Sequence, residues 1–543
     1  MLLFLAACGS SQPVPTETDP AHTGAGAAHY DRDRLLGVEL TMDPADAEAL
    51  AEETRWILEL LQGQCLAAPF PSPYAWYEAD VRLDGATVSR VGVRKKGLVG
   101  SQSSTKPGLK LDSDRFVDGQ RFPDGTEHVT LNNSVADTSL VRQCLGYDLF
   151  EAAGIPSPRC NFAHVTGGDD DLGVYIHVEP YKRDFLERRF GTADGDLYEG
   201  ALSDFHPDWI HSFDPKTDAT DPSLGPLQAV ADALEAPDET LLAELDAVID
   251  LDAFNTYWAM EVLVGHTDGY AGNTNNFYVY RPDDRLVFLP WGIDMIFIDY
   301  RPFGGDDRQA VMANGRLARR LILHPEGRAA FEARLRELLD TVWDEDTLLA
   351  SIDAMEALTA PVTRNRSGQA SDLEQVREFV RGRRAVILDE LDTIGLGWDA
   401  DPRDPPCLDP VGTVDLVFQA QVGGQIPWVA GSSTLTLSLD DQPDDVLAGG
   451  AIVDPGEAIL ATGVAVDGGY LVVYADLEPA DLEVGTHALD LRARSASLVL
   501  LDGEDLADQH IEAVLGDATL TVESANGQTI SGRIVGDVLA LPF

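Results

Sequence analysis

The sequence predicts an α+β protein in which a small sheet-rich lobe precedes a helical lobe, followed by a separate all-β, sandwich-like domain. Three observations predict this class. The 543 residues exceed the length of one ordinary domain. Strand-like alternation dominates up to about residue 180, and helical spacing of apolar residues dominates residues 251–394. After residue 399 the composition changes, because residues 401–543 contain 24 acidic residues, four arginines and no lysine.

The first lobe contains a predicted helix, a β-hairpin and further strands. Asp43-Pro44 is typical of a helix start and predicts a helix that runs to about residue 62. Asp84-Gly85 is a hairpin-turn pair between two segments that alternate like strands, residues 77–83 and 88–94. The remaining predicted elements are strands at residues 128–131, 161–166 and 173–179 and a helix at residues 139–153. They indicate a mostly antiparallel sheet.

The second lobe and the C-terminal region have different patterns. The helical lobe holds predicted helices at residues 251–264, 317–342 and 372–394 and one strand pair at residues 276–280 and 286–289. Residues 401–407 are rich in Pro and Asp and are interpreted as a linker. Short strands separated by Gly, Asp and Pro follow, which is the pattern of a β-sandwich. The predicted boundaries are therefore 31–400 for the two-lobed domain and 408–543 for the acidic sandwich.

Charge excludes some classes of function. The formal net charge is −53 and the isoelectric point is about 4.3. A surface this acidic repels phosphate backbones, so broad electrostatic binding of nucleic acid is excluded. The sequence also has no apolar run approaching the roughly 18 residues of a membrane-spanning helix.

The N-terminus suggests export. Leu5-Ala6-Ala7-Cys8 resembles a bacterial lipobox, and the following residues are rich in Pro, Thr, Gly and Ala. We interpret residues 1–7 as the remnant of a signal peptide, Cys8 as the lipidated residue and residues 8–30 as a flexible tether. The alternative is an apolar N-terminal segment without this role. The first interpretation predicts an exported lipoprotein of the outer membrane or cell surface, which touches the membrane only through its lipid.

Four further cysteines allow two interpretations. Cys65, Cys144, Cys160 and Cys407 lack the spacing of a metal site. In an oxidising compartment they would form disulfides, with Cys144 and Cys160 the pair nearest in sequence. Separate buried thiols are the other interpretation.

The most informative loop lies between the predicted helix 251–264 and the strand 276–280. His266, Asp268 and Asn273 have the spacing of the protein-kinase catalytic loop, in which a carboxylate accepts a hydroxyl proton and an amide oxygen holds Mg²⁺. Asp294 follows the next strand and would be a second metal ligand, since Mg²⁺ prefers hard oxygen donors. The alternative is a cluster of polar side chains that satisfies its own loop backbone.

Cations are concentrated upstream, at residues 94–110. Arg94, Lys106 and Lys110 flank a Gly- and Ser-rich turn whose backbone N–H groups would suit phosphate. The spacing of a P-loop is absent, and a solvated cationic hairpin is the alternative. Glu179 ends an apolar strand, where it would orient such a lysine or be an edge-strand charge.

Taken together, these segments resemble the CotH kinase family, the spore-coat protein H-like atypical kinases. The resemblance covers residues 35–394, and its blocks occur in the family's order. They are residues 92–97 with Lys106 and Lys110, residues 131–133 with Arg142, residues 154–158, residues 173–179, residues 268–280 and residues 290–294.

The resemblance implies a diverged, two-lobed protein-kinase-like fold that binds ATP with Mg²⁺ and phosphorylates Ser in a partner protein. Asp268 would be the catalytic base and Asp294 a metal ligand, with Asn273 or the competing Asn276 as a further ligand. Arg94, Lys106 or Lys110 would contact the nucleotide phosphates, and Glu179 would pair with one of the lysines. Many members have Asp where this chain has Gly292, next to the metal position.

Two functions follow as hypotheses. The first is an exported ATP- and Mg²⁺-dependent Ser kinase that acts on a surface or envelope protein. The alternative is a catalytically weak, pseudokinase-like scaffold or binding lipoprotein. Retention of Asp268, Asn273 and Asp294 favours the kinase, because a scaffold has no need of all three.

Overall fold

The computed structural model divides the chain into two compact units. The first consists of the described residues up to Arg55 together with Ser72–Pro402, and the second of the described residues in Trp56–Pro71 and Arg403–Phe543. The described residues are 26–217, 223–299, 308–423, 431–440, 443–454, 456, 459–466, 469–489, 491, 495–502 and 509–541. The predicted signal-peptide remnant, Cys8 and the predicted tether up to residue 25 lie outside them. Residues 56–71, which the sequence pattern assigned to the first domain, belong to the second unit.

A closed barrel of seven strands opens the first unit. In chain order the elements up to its end are β1 (Leu36–Met42), α1 (Pro44–Glu52), α2 (Ile57–Leu60), β2 (Tyr77–Leu83), β3 (Ala86–Lys96), β4 (Gly108–Asp112), β5 (His128–Asn132), α3 (Arg142–Ala152), β6 (Cys160–Gly167) and β7 (Asp170–Val178). The strands close in the order β1-β2-β3-β4-β5-β7-β6. Strand β1 is antiparallel to β2 and parallel to β6, so the sheet is mostly antiparallel, as predicted, and contains one parallel pair.

Alternation along the strands determines which side chains fill the barrel and which leave it. Val93 of β3 and Leu111 of β4 are paired and lie in the apolar interior. Arg94 and Lys110 are paired one position later, so both point out of the barrel. The outer face of these two strands is therefore cationic.

Two predictions about the start of the chain have different outcomes. The hairpin is confirmed, since Asp84 and Gly85 have φ values of 46° and 83°, as a turn with two positive φ angles requires. Helix α1 begins at Pro44, and the Asp43 carboxylate accepts a hydrogen bond from the N–H of Ala45 at 2.9 Å. The predicted length is wrong, because α1 ends at Glu52 and the chain then passes into the second unit.

A four-stranded sheet and most of the helices complete the first unit. The elements are α4 (Arg183–Phe190), β8 (Asp196–Gly200), β9 (Asp214–Pro215), α5 (Gly225–Ala233), α6 (Asp238–Asp246), α7 (Leu251–Val264), α8 (Tyr270–Asn273), β10 (Phe277–Arg281), β11 (Val287–Pro290), α9 (Arg316–Leu323), α10 (Pro325–Thr341), α11 (Glu345–Thr359) and α12 (Arg366–Thr393). The strand order is β11-β10-β8-β9, with antiparallel neighbours.

Helix α7 forms the centre of the large apolar core of this unit. Ten of its residues are buried, and Trp258 stacks on Phe331 of α10 with 3.8 Å between ring centroids. The helix predicted at residues 317–342 is two helices, α9 and α10. The division falls at His324-Pro325, because proline cannot donate a helical hydrogen bond, and the His324 ring instead accepts one from the N–H of Gly327.

The second unit contains helix α2 and one sheet of nine strands. The strands are β12 (Asp409–Val422), β13 (Ser432–Leu439), β14 (Asp445–Asp454), β15 (Ile459–Val466), β16 (Gly469–Asp476), β17 (Gly485–Leu489), β18 (Ala496–Asp502), β19 (Gln509–Ala525) and β20 (Thr529–Ala540). Their order is β17-β19-β18-β16-β15-β14-β13-β12-β20, and β20 also pairs with β19. The sandwich prediction is therefore wrong in architecture, because a single sheet closes on itself where two stacked sheets were expected.

Strand β19 explains how this sheet closes. Its first part pairs with β18 and its last part with β17, while β20 runs along its other edge. Register shifts between Gly516 and Thr519 and between Val522 and Ser524 mark bulges, which bend and twist a strand. Such local bending is not visible in an alternation pattern.

All four described cysteines form disulfides. Cys144–Cys160 joins α3 to β6 in the first unit, and Cys65–Cys407 joins residues 56–71 to the strands of the second unit. The disulfide interpretation is confirmed, and the interpretation as separate thiols is wrong. Among the described helices, we find none with the length and apolar character that a bilayer span requires.

Candidate active site

The loop after α7 holds Asp268 in a set of side-chain amides. Asn273 and Asn275 donate to its Oδ1 at 2.7 and 3.2 Å, and Asn276 donates to its Oδ2 at 2.7 Å. Because a carboxylate only accepts hydrogen bonds when ionised, each amide turns its nitrogen toward Asp268 and its oxygen the opposite way. The predicted base and both candidate metal-binding asparagines therefore lie in one group.

Glu261 of α7 is hydrogen-bonded to the backbone next to this loop. The Glu261 side chain is fully buried and accepts hydrogen bonds from the backbone N–H groups of Tyr270 and Ala271, both at 2.8 Å. The hydroxyl of Tyr257 donates to the same carboxylate at 2.7 Å. A buried carboxylate thus satisfies two N-terminal N–H groups of the short helix α8, which begins two residues after Asp268.

Gly292 brings the segment after β11 against Asn276. Gly292 has a φ of +56°, and a Cβ atom built on it would lie 2.3 Å from Oδ1 of Asn276. A side chain at position 292 and this position of Asn276 are mutually exclusive on the present backbone. The glycine therefore lets Asn276 occupy the space next to the predicted metal position.

Asp294 lies two residues farther along, in the same site. Burial raises the pKa of its carboxyl to about 6, the Lys96 ammonium opposes that rise, and the carboxylates of Asp137 and Asp268 add to it. Asp268 and Asp294 are thus near enough to act on each other's charge. The segment that follows Asp294 is anchored by Nε of Arg142, which donates to the carbonyl of Ile296 at 2.9 Å.

Cations from the outer face of the barrel lie opposite these acids. Lys96 donates to Oδ1 of Asn132 and interacts electrostatically with Asp294. Burial lowers the pKa of Lys110 to about 7, partly opposed by Glu199, while Lys96 and Arg94 lower it further. Three like charges in a half-buried cleft are a strong source of attraction for polyanions.

Glu199 is a site residue that the sequence did not reveal. It lies on β8, and its carboxylate pairs with Nζ of Lys216 at 2.8 Å. The same carboxylate acts on the charges of Lys96 and Lys110, so it lies within electrostatic reach of the cationic face. No local motif marks Glu199, because its partners are long-range and its strand alternates like any other.

One predicted pairing does not match the structure. Glu179 is buried and accepts hydrogen bonds from Nη2 of Arg159 at 2.7 Å and from Arg188, not from a lysine. Lys106 donates to the carbonyl of Val174 at 2.7 Å and lies over the ring of Tyr175. The predicted Glu179–lysine pair is wrong, because two arginine forks already engage both oxygens of the carboxylate.

One other group of potential metal ligands lies on the barrel. Asp112, Glu127 and His128 place one ligand atom each within 4.8 Å of one another. Burial lowers the pKa of His128 to about 4, and Lys182, Lys110 and Arg121 contribute to the lowering. Those cations also disfavour a divalent metal ion, so this group is a weaker candidate than the Asp268–Asp294 site.

The Asp268–Asp294 site therefore joins hard oxygen donors on one side to cations on the other. Carboxylate and amide oxygens suit Mg²⁺, and Lys and Arg suit phosphate oxygens. This arrangement is suited to holding a metal–polyphosphate complex next to a carboxylate that accepts a proton.

Comparison with known proteins identifies similar chains. The family model described as CotH kinase protein matches residues 93–387, which is more than half of the chain. The chain is 22% identical to the inner spore coat protein H of Bacillus subtilis (strain 168) over 291 residues, covering 49% of this chain and 79% of that protein.

Two invasins of Rhizopus delemar are also similar. CotH2 is 23% identical over 267 residues and CotH3 is 23% identical over 305 residues, and the matches cover 44% and 47% of those proteins. The chain thus spans less than half the length of either invasin. Among solved structures, a Shewanella oneidensis MR-1 toxin–antitoxin complex of HipA, HipB and operator DNA matches with a TM-score of 0.29 and 12% identity, covering 65% of this chain and 74% of that chain.

Proposed function

Since this chain belongs to the CotH kinase protein family, we propose that it transfers the terminal phosphoryl group of ATP, with Mg²⁺ as cofactor, to a serine hydroxyl of a protein. The observation that carries the proposal is that three side-chain amides hold Asp268 in the loop after α7, where the charges of Asp268 and Lys96 both act on the carboxyl of Asp294. Phosphoryl transfer relies on positioning and on neutralising charge, and this site offers groups for both.

The donor set fits Mg²⁺. Asp294 would hold the ion together with the amide oxygen of Asn273 or Asn276, each of which turns its nitrogen toward Asp268. A buried carboxyl whose pKa is raised to about 6 is one that a bound cation would stabilise in its ionised form. When bound, Mg²⁺ supplies charge neutralisation on the phosphate oxygens.

The chain's own residues would perform the remaining steps. Asp268, oriented by three amides, would accept the proton of the serine hydroxyl at a carboxylate oxygen. Lys110, Lys96 and Arg94 would bind and orient the phosphate oxygens. Glu199 would position the lysines through its charge.

The absence of an aspartate at position 292 is accommodated by Asn276. With a glycine at position 292, the amide oxygen of Asn276 approaches the backbone there to a distance that a Cβ atom would forbid. We therefore assign the place of that aspartate to Asn276. This assignment favours the kinase over the pseudokinase-like scaffold.

We also propose that the protein acts outside the cytoplasm, anchored by lipid at Cys8. Both internal disulfides suit an oxidising compartment. Two of the similar proteins are named as invasins and one as a spore coat protein. The substrate would then be a surface or envelope protein.

The test is transfer of labelled phosphate by the full chain. With γ-labelled ATP and Mg²⁺, the protein is expected to label itself or a Ser-containing substrate, and the label is expected to be alkali-labile phosphoserine. Asp294→Asn should abolish labelling, whereas Asp389→Asn, an exposed acid on α12, should not change it.

Two outcomes would contradict the proposal. Labelling that persists in Asp294→Asn would show that the metal site lies elsewhere. Binding of ATP and Mg²⁺ without transfer to any protein would support the pseudokinase-like scaffold instead.

A further inference from the structure

A cavity of about 320 Å³ lies in the first unit, apart from the proposed nucleotide site. It is formed by the turn before β4, the loop before α3, the start of β7 and the residues before α12. The lining residues are Thr105, Lys106, Ser134, Thr138, Leu140, Leu172, Gly173, Val174, Val362, Thr363, Arg364 and Asn365. None of the five cleft residues Arg94, Lys96, Lys110, Asp268 and Asp294 is among them.

The charge of this lining is unlike that of the whole chain. Two of the twelve residues are cations and none is acidic, in a protein of net charge −53. Five others have hydroxyl or amide side chains. Burial lowers the pKa of Lys106 to about 8, the charge of Arg364 lowers it further, and the carboxylate of Asp137 opposes this shift, so the two cations are close enough to repel each other. A bound anion would relieve that repulsion.

A buried hydroxyl in the lining has no partner. Ser134 is 6% exposed, and its Oγ atom has no hydrogen-bond partner among the described residues. A buried hydroxyl without a partner is unfavourable, and such groups often mark a place where a ligand or water binds.

The start of α12 adds favourable electrostatics. Helix α12 has 28 residues, and Asn365 caps it by accepting a hydrogen bond from the N–H of Gly368 at 3.0 Å. The positive end of the helix dipole and the first N–H groups of the helix therefore border the cavity. At the rim of the cavity, Nη2 of Arg364 lies 3.5 Å from Oδ2 of Asp171. The rest of the Arg364 side chain is exposed to solvent.

We propose that this cavity is a second anion site, which binds a phosphate group through Lys106, Arg364 and the hydroxyl of Ser134. A tetrahedral phosphate offers several acceptors for these donors, and cationic donors make the stronger hydrogen bonds to it. The volume exceeds that of a single phosphate and reaches the lower end of the range for small-ligand sites, about 300 Å³. The ligand is either free phosphate or a phosphate carried on a phosphoserine, and both have the same recognition chemistry.

The experiment measures phosphate binding by the full chain at neutral pH, by isothermal titration calorimetry. Inorganic phosphate and a short phosphoserine peptide are titrated separately, with acetate as the carboxylate control. Arg364→Gln is expected to weaken binding of both phosphates by about tenfold, the usual effect of one charged hydrogen bond. Ser134→Ala is expected to weaken binding roughly threefold, as for a neutral hydrogen bond.

Matched variants separate this site from the nucleotide cleft. Arg381→Gln removes an exposed arginine farther along α12 and is expected to leave phosphate affinity unchanged. Lys110→Met removes a cation of the proposed nucleotide site and is also expected to leave it unchanged, because Lys110 does not line the cavity. The proposal does not depend on kinase activity, so failure of one does not imply failure of the other.

Each outcome of the titrations either supports the anion site or overturns it. Tighter binding of the phosphoserine peptide supports the proposal with phosphorylated protein as ligand, and tighter binding of inorganic phosphate supports it with the free anion. Loss of phosphate binding in Lys110→Met but not in Arg364→Gln would place the phosphate in the cleft and overturn the proposal. Equal affinity for acetate, or no binding at millimolar phosphate, would also overturn it.

Discussion

The two units both contain a β-sheet that closes on itself, but they expose different chemistry. In the first unit, the barrel directs Arg94 and Lys110 to its outer face, where the charge of Glu199 acts on Lys110. In the second unit, residues 403–543 carry 23 acids and four arginines. Closure pairs most of the strand edges in both sheets, and this limits edge-to-edge association with other chains. Function follows from which side chains the strands direct outward, and not from closure itself.

The outer surface of the second sheet also differs in its apolar residues. Several large apolar side chains of its strands are exposed, among them Val417, Val446 and Ile511 at 52%, 66% and 54%. On the first barrel, the outward positions of β3 and β4 include Arg94, Lys96 and Lys110, whose charges act on one another. We therefore expect substitutions at the site of the first unit to alter ATP binding or phosphoryl transfer. Substitutions in the second unit should alter only its free energy of unfolding.

The largest effect is expected from Asp268→Asn in the first unit. The asparagine preserves size but cannot accept the serine proton, so transfer should fall by about 10²–10⁴-fold, the usual contribution of a general base. ATP affinity should change little, because Asp268 is not assigned to phosphate binding. Single-turnover labelling and calorimetric ATP titration measure the two quantities, and a loss of both would reassign Asp268 to ligand binding.

The next largest effect is expected from Lys110→Met. The loss of one charged contact should weaken ATP binding by roughly 10- to 100-fold. There is also a proton signature: the pKa of Lys110 is about 7 in the free protein, and a bound polyanion would raise it. At pH 8 the wild type should therefore take up a proton on binding ATP.

Calorimetry in buffers of different ionisation enthalpy measures that proton. Lys110→Met should show no uptake from this group, while Arg381→Met, which removes an exposed cation on α12, should behave like the wild type. Unchanged proton uptake in Lys110→Met would show that Lys110 does not face the phosphates.

The disulfides test the comparison directly, because each lies within one unit. Replacing Cys65 and Cys407 by Ala should lower the unfolding free energy of the second unit by about 2–4 kcal/mol. ATP affinity should be unchanged. The matched change at Cys144 and Cys160 should instead destabilise the first unit and weaken ATP binding.

Differential scanning calorimetry combined with ATP titration resolves the two effects. If the variant without the Cys65–Cys407 disulfide lost ATP affinity, the assignment of ATP binding to the first unit alone would be incorrect.

Local features of the fold could be predicted from the sequence, and long-range ones could not. The turn at Asp84-Gly85 and the cap at Asp43 depend on neighbouring residues, and both are present as predicted. Closure of the barrel depends on the parallel pairing of β1 with β6, which are more than 100 residues apart. No residue in either strand indicates its partner.

The same distinction applies to the site. Asp268 and Asp294 were predicted because each stands in a loop next to a strand or helix with recognisable spacing, and in the structure the charge of Asp268 acts on the carboxyl of Asp294. Glu179 was paired with the wrong partners because strand position alone does not indicate which of several cations a carboxylate meets. The sequence pattern did not indicate Glu199, because its charge acts on Lys110 only once the fold has brought β8 near β4.

The smallest effect expected is the pH dependence of stability contributed by Asp294. Its pKa is about 6 in the folded protein and 3.8 ordinarily, so between these values the folded state binds more protons than the unfolded state. Stability must therefore fall as pH rises from about 4 to about 6. Asp294→Asn removes this cost and should be more stable than the wild type at pH 7 by on the order of 1–3 kcal/mol.

That advantage should be largely lost at pH 4, where the folded wild-type carboxyl is protonated and the unfolded one is about half protonated. Urea unfolding of the two proteins at pH 4, 5.5 and 7 measures it. Mg²⁺ at pH 7 should stabilise the wild type and not Asp294→Asn, because only an ionised carboxylate binds the ion. If the difference in unfolding free energy between Asp294→Asn and the wild type did not depend on pH, the pKa of Asp294 would be the same in the folded and unfolded states. The assignment of Asp294 as the buried metal ligand would then be incorrect.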